Sequence, residues 1–341
     1  MNVVPRLDFE PGLISLLREL PAESRVAVCG HARPDGDAVG STIALSLALR
    51  AAGHEVYALT ADAEQPPATY AWLDGFETLE SVASVAITGP IDLFISVDNP
   101  NPKRLALALP LCESASLRLV VDHHPDTEGY ADLYAVHTTA GSTSHVVWDL
   151  LGAVGWERTA PIATACYAGL SSDTGSFRYS NTSERVFAAA AEMVVAGASP
   201  ASVSRNLYES KSPERIALET RVMERLALEN GGVVVTSWVT EADYLETGAT
   251  HPDGENLSDL VRVVDSADIA VLVTHGGPRG PRVSLRSKTD FDVSAVAARY
   301  GGGGHRAAAG ISWPRGEDSV ADIIATLLTH LPGWGAPRGE A

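Results

Sequence analysis

Apolar positions in the N-terminal half cluster in short runs, each cut off by acidic or imidazole residues. Val26-Ala27-Val28, Ile91-Asp-Leu-Phe-Ile-Ser-Val97 and Ser116-Leu-Arg-Leu-Val-Val121 are too short for helices and read as buried strands. His54 to Leu59 reads as another. Between and after them lie segments of helical character at 11–20, 41–52, 103–109, 139–152, 160–171, 183–196 and 213–229, with a small helix near Trp72 and Phe76. Strands alternating with helices predict a parallel sheet flanked by helices, whose ligands gather at the strands' carboxyl ends. A second α/β pattern begins near Gly231, with strands at 233–239, 269–274 and 282–287 and helices at 257–264 and 293–300. Two domains follow from this: 1–195, a helical connector over 196–230, and a smaller α/β domain over 231–332, ahead of a flexible tail at 333–341.

The strand ends carry the chemistry. The first run leads into His31-Ala-Arg-Pro-Asp-Gly-Asp-Ala-Val-Gly-Ser41, the next ends in Asp98, and the third in Asp122-His123-His124. Asp35 and Asp37 flank Gly36, which permits a tight turn, and Pro34 stiffens the approach. A single Asp here would mean only a helix cap. A His with two Asp so close together asks for more, and Asp173 after the 160–171 helix adds another carboxylate. Oxygen and imidazole donors without thiolate suit manganese or magnesium better than structural zinc. Two such ions, about 3.5–4 Å apart, would bind a phosphate and activate a water. They need one shared carboxylate, for which Asp98 is the candidate.

Charge narrows the partners. The 341-residue chain carries a formal charge of -18, whereas proteins that grip long nucleic acid present a basic field. Any nucleotide substrate is therefore expected to be short. No apolar run approaches the roughly 20 residues needed to span a membrane. No secretory signal stands at the N-terminus. Cys29, Cys112 and Cys166 form neither a zinc spacing nor a disulfide framework, so a reducing cytoplasm is expected.

The blocks H-A-R-P-D-G-D-A-V-G-S, S-V-D, V-D-H-H-P and S-D-T-G-S-F, in that order, resemble the DHH phosphoesterase family. The C-terminal G-G-G-G-H-R-A-A-A-G resembles its DHH-associated substrate-binding domain, and together these blocks cover almost the whole chain. The layout is similar to the nanoRNase and 3′-phosphoadenosine 5′-phosphate (pAp) phosphatase branch, which includes cyclic di-AMP and pApA phosphodiesterases. The resemblance implies two divalent ions, manganese first, with magnesium or cobalt as alternatives. His31 and Asp35 would hold one; Asp37, His123 and Asp173 the other; Asp98 would bridge them. Asp122 would orient a ligand imidazole from behind, and His124 would meet the scissile phosphate. The active site would lie in the cleft between the domains, and the resemblance suggests a homodimer.

Glycines 301–304 allow close approach of backbone to a ligand, and His305, Arg306 and Arg286 add donors and cations. Gly303, Gly304, His305, Arg306 and Arg286 are thus the expected substrate contacts, with Arg104 and Asn256 weaker candidates. Expected substrates are pAp, pApA, RNA of two to five nucleotides and cyclic di-AMP, hydrolysed by two-metal activation of water. Three rivals remain at this point: an inorganic pyrophosphatase, a RecJ-like single-strand exonuclease and a non-enzymatic cyclic dinucleotide sensor. The C-terminal glycine block speaks against the first. Length and charge, without a basic aromatic groove, speak against the second. The intact ligand set speaks against the third.

Overall fold

The computed structural model describes residues 6–254, 256–275, 280–313 and 318–333. Beyond residue 333, the expected tail lies outside the described residues. The chain divides into two compact units, Met1–Ser210 and Lys211–Ala341.

The first unit is built on six strands: β1 (Arg25–Cys29), β2 (Glu55–Thr60), β3 (Leu79–Ser81), β4 (Leu93–Val97), β5 (Leu117–Asp122) and β6 (Leu133–Val136). They pair in the order β3-β2-β1-β4-β5-β6, and every pairing is parallel. Around the sheet lie α1 (Pro11–Arg18), α2 (Gly36–Ala51), α3 (Leu109–Ser114), α4 (Thr143–Val154), α5 (Ala160–Asp173), α6 (Glu184–Val195) and α7 (Pro200–Tyr208). The α/β class and the strand-end placement agree with the sequence pattern. The short edge strands β3 and β6 are additions to it.

Helix α2 starts at Gly36, five residues before the expected 41, because Asp35 caps it: Oδ1 accepts the N–H groups of Asp37 and Ala38. The helix is buried on nearly all sides, as befits one wedged between a sheet and a neighbouring helix. Gly40 and Gly169 make the α2–α5 approach. A Cβ on Gly40 would collide with the Ala165 carbonyl, and one on Gly169 would sit 2.8 Å from Asp37 Oδ1. Small residues here bring the start of α2 beside the end of α5.

The segment read as a connector is shared between the units. Val203 of α7 joins the first core, while Leu218 and Val222 of α8 (Pro213–Glu224) join the second. The second unit adds α9 (Glu241–Thr247), α10 (Ser258–Arg262), α11 (Val293–Ala298) and α12 (Val320–Leu328). Its strands are β7 (Ala227–Glu229), β8 (Val234–Thr240), β9 (Ile269–His275), β10 (Arg282–Ser287), β11 (Gly303–His305) and β12 (Ala308–Ser312). They pair as β11-β12-β10-β9-β8-β7, and only β8–β9 is parallel. No single helix among the described residues is long and apolar enough to cross a membrane.

The second sheet buries one face completely. Val283, Leu285, Ala309 and Ile311 pack with Val293, Val296 and Ala297 of α11 and with Ile323 and Leu327 of α12. On the other face, α8, α9 and α10 cover Val235, Ala270 and Leu272. A bidentate pair ties that layer together. Arg225 donates to both oxygens of Asp243 at 2.6 Å, and burial of Asp243, outweighed by these contacts and the Thr240 cap, leaves its pKa at about 2. Asp243→Asn is expected to cost about 2 kcal/mol in urea unfolding, since the half-buried Arg225 loses its charged partner. A midpoint unchanged from the parent chain would contradict this.

Candidate metal centre

Three strand ends and two helix ends bring the acidic and imidazole residues together. Asp98 follows β4 with φ 54°, a left-handed conformation that Asp tolerates, and its N–H donates to the Val121 carbonyl (3.0 Å). That bond fixes the Asp98 side chain between the ends of β1 and β5. His31 Nε2 lies 3.5 Å from Asp98 Oδ2 and 3.9 Å from Asp35 Oδ2. On the other side, His123 Nε2 lies 3.8 Å from Asp98 Oδ1 and 3.6 Å from Asp173 Oδ2. Asp98 belongs to one compact donor group with His31 and Asp35, and to another with Asp37 and His123. The six expected ligands converge.

These donors suit divalent ions. His31 Nδ1 faces its neighbour's carbonyl, Ala32 O, at 2.9 Å, a contact that requires the proton on Nδ1. His31 Nε2 then faces two carboxylate oxygens, an arrangement that a cation between them would satisfy. The carboxylates themselves are crowded. Burial and the charge of Asp98 raise Asp37 to a pKa of about 7, and burial with Asp37 and Asp98 raises Asp173 well above the ordinary range. For Asp98 burial also opposes ionisation, but His31, His124 and His123 outweigh it and hold the group well below the usual carboxylate range. Oxygen and imidazole donors with no thiolate select hard divalent ions.

A second layer fixes the first. Asp122 is fully buried; its Oδ1 accepts the His124 Nδ1 proton at 2.8 Å and the His123 backbone N–H at 2.8 Å. Its Oδ2 accepts the Thr127 hydroxyl (2.7 Å), so Asp122 orients the ring of His124, the expected phosphate contact, whereas the sequence resemblance implies that it orients a ligand imidazole. Helix α4 points its N-terminus at Asp37, with Thr143 and Ser144 N–H groups 2.6 and 2.8 Å from the two oxygens. The Thr143 hydroxyl donates to Asp98 Oδ1 (3.0 Å), and Asn181 Nδ2 spans the Gly141 carbonyl (2.9 Å) and Asp173 Oδ2 (3.4 Å). Sequence reasoning missed Thr127, Thr143, Ser144 and Asn181. Only the Ser-Thr-Ser run at the start of α4 carries a signal, and it reads as an ordinary cap, which Ser142 does provide to His145 N.

The model of the DHH family N-terminal domain matches residues 25–170, and that of the DHHA1 domain matches 230–331. The bifunctional oligoribonuclease and PAP phosphatase NrnA of Thermus thermophilus is 31% identical over 84% of each chain. This chain belongs to the DHH family. NrnA of Bacillus subtilis is 27% identical over 92% of this chain and 98% of its own. Among solved structures, an exopolyphosphatase-related protein of Bacteroides fragilis superposes with a TM-score of 0.83 at 20% identity, covering 94% of this chain and 95% of that one. The DHH and DHHA1 domains, in the NrnA branch, are thus those the sequence motifs resembled.

In the DHHA1 domain the glycine run forms a strand. Gly303, Gly304 and His305 pair as β11 with Gly310, Ala309 and Ala308 of β12. A Cβ on Gly304 would lie 2.6 Å from the Ala308 carbonyl, so this glycine serves the chain's own packing, whereas Gly303 has open space around it. Ala308 also sits opposite Arg286 of β10. Directly paired antiparallel residues share a face, so Arg286 and His305 flank the small Ala308 on the side not filled by Val283 and Leu285, about 10 Å apart across two strand spacings. Arg306 is turned to the Asp290 carbonyl, which accepts from its Nε at 2.8 Å. Arg104 lies in the first unit, where its carbonyl accepts the Ala32 N–H (2.8 Å) and anchors the turn beside His31. Asn256 is exposed, with φ 61°.

The buried imidazole of His145 lies outside the ligand set. His145 Nδ1 accepts the Gly141 N–H (3.3 Å), and burial, then Arg185 and His137, lower its pKa to about 4 from an ordinary 6.5. The unfolded chain therefore binds the extra proton first, and stability falls as pH drops from 6.5 towards 4. That loss is expected to reach about 3 kcal/mol. His145→Gln should flatten this acid limb in urea unfolding followed against pH. A limb as steep as the parent's would contradict the assignment.

Proposed function

We propose that this DHH protein hydrolyses phosphoesters of very short nucleotides at a centre of two divalent ions, with manganese the preferred metal. The observation that carries the reading is the Asp98 carboxylate, whose two oxygens face separate donor groups: Oδ2 towards His31, Oδ1 towards His123. Two ions there, when bound, would polarise phosphoryl oxygens and lower the pKa of water. His31 and Asp35 would hold one; Asp37, His123 and Asp173 the other. His124 would donate to the phosphate as negative charge grows on it. Burial opposes its protonation, but the Asp122 hydrogen bond and the Asp98 charge outweigh burial and raise its pKa.

Short substrates are favoured by the charge of -18, which repels a long polyanion. Arg286, Gly303, Gly304, His305 and Arg306 are the proposed grip on the distal nucleotide, with Arg104 a further phosphate contact. The relatives named oligoribonuclease and PAP phosphatase support pAp and linear dinucleotides such as pApA as substrates, with RNA of two to five nucleotides and cyclic di-AMP as extensions of the same chemistry. We place the protein in the cytoplasm as a homodimer; its three buried free thiols fit a reducing compartment.

A substrate panel in manganese, read by nucleotide chromatography, tests this. Turnover of pAp, pApA and short RNA is expected, with little on a twenty-four-nucleotide strand or on pyrophosphate. Equal rates on short and long strands would overturn the length preference, and pyrophosphate as the best substrate would overturn the substrate class.

A further inference from the structure

Thr143 touches two of the expected metal ligands at once, and neither motif nor spacing singles it out. It is the first residue of α4 and is fully buried. Its backbone N–H donates to Asp37 Oδ2 at 2.6 Å, and its hydroxyl donates to Asp98 Oδ1 at 3.0 Å. The hydroxyl is the donor in this contact and the carboxylate oxygen the acceptor. Asp37 and Asp98 are held on different elements, α2 and the end of β4. Two carboxylates have no attraction of their own to keep them at a fixed separation, and Thr143 bonds to both.

Three further contacts hold the residues on either side of Thr143. Ser142 caps α4 through the His145 N–H (3.1 Å), Ser144 N–H takes the other oxygen of Asp37 (2.8 Å), and Gly141 is tied to Asp173 through Asn181. The turn before α4 is therefore rigid, and it reaches three ligand carboxylates from one side.

We propose that Thr143 is a positioning residue of the metal centre: its hydroxyl sets the plane of the Asp98 carboxylate relative to Asp37. This rests on the metal-centre reading above. Val has nearly the same shape and retains the backbone N–H to Asp37, so Thr143→Val removes only the bond to Asp98. Ser retains the hydroxyl and loses only the methyl group.

The test is a manganese titration of the chelator-treated full chain, with free ion followed by its electron paramagnetic resonance signal, well below the melting temperature of each variant. Thr143→Val is expected to weaken manganese binding roughly 10–100-fold, the usual cost of losing a hydrogen-bonding neighbour of a ligand. Thr143→Ser should bind within a few-fold of the parent chain, a rescue that a purely structural role for the side chain would not produce. If Thr143→Val fails to fold, Thr143→Ala read against Thr143→Ser isolates the same hydroxyl. Parent-like affinity in the variants lacking the hydroxyl would overturn the proposal while leaving the metal centre standing, as would equal weakening in Thr143→Ser. A parent chain that binds no manganese would overturn both.

Discussion

Replacing Asp98 by Asn is expected to abolish metal-dependent hydrolysis while the chain stays folded. The loss should far exceed the roughly 10–100-fold that follows removal of a ligand's hydrogen-bonding neighbour, because Asp98 is the carboxylate shared by the two donor groups. Its Oδ2 faces His31 at 3.5 Å and its Oδ1 faces His123 at 3.8 Å, and an amide can offer only one oxygen. Asn is the informative choice. At φ 54° an Ala would add backbone strain, whereas Asn accepts that conformation and keeps the N–H bond to Val121. Hydrolysis of a dinucleotide by the variant, with circular dichroism as the folding control, checks the point. Parent-like turnover would refute the shared-ligand role.

The second large effect is on stability. With ions removed, Asp173 ionises against burial and against Asp37 and Asp98, so its folded pKa stands well above its unfolded one. Such a group binds its proton more tightly in the native state. Its ionisation therefore opposes folding at neutral pH and the cost disappears as pH falls into the ordinary carboxylate range. Asp173→Asn should therefore raise the stability of the ion-free chain at neutral pH. The parent should in turn gain about 4 kcal/mol from a divalent ion at about 1,000 times its Kd, and the variant much less. Thermal unfolding in chelator and in manganese reads both terms. An ion-free variant melting below the parent would contradict the electrostatic account.

The parts of this centre visible in the sequence are those that sit where a strand stops. His31, Asp98 and Asp122-His123-His124 each follow a short apolar run, so their convergence follows from a parallel sheet alone. The start of α2 was obscured because Pro34, Gly36 and two Asp read as a turn; the helix forms there because Asp35 supplies acceptors to its first N–H groups. The glycine run concealed β11, since a strand without side chains has no alternation to detect, and Gly304 is demanded by contact with the Ala308 carbonyl. Thr143 was invisible for another reason. Its partners lie 45 and 106 residues away, so its role exists only once α4 is docked on the sheet.

The central claim is two ions astride one carboxylate. Crystals grown with manganese, measured at the metal's absorption edge, should show two anomalous peaks about 3.5–4 Å apart, one on each side of Asp98. A single peak, or two that do not share Asp98, would contradict the account.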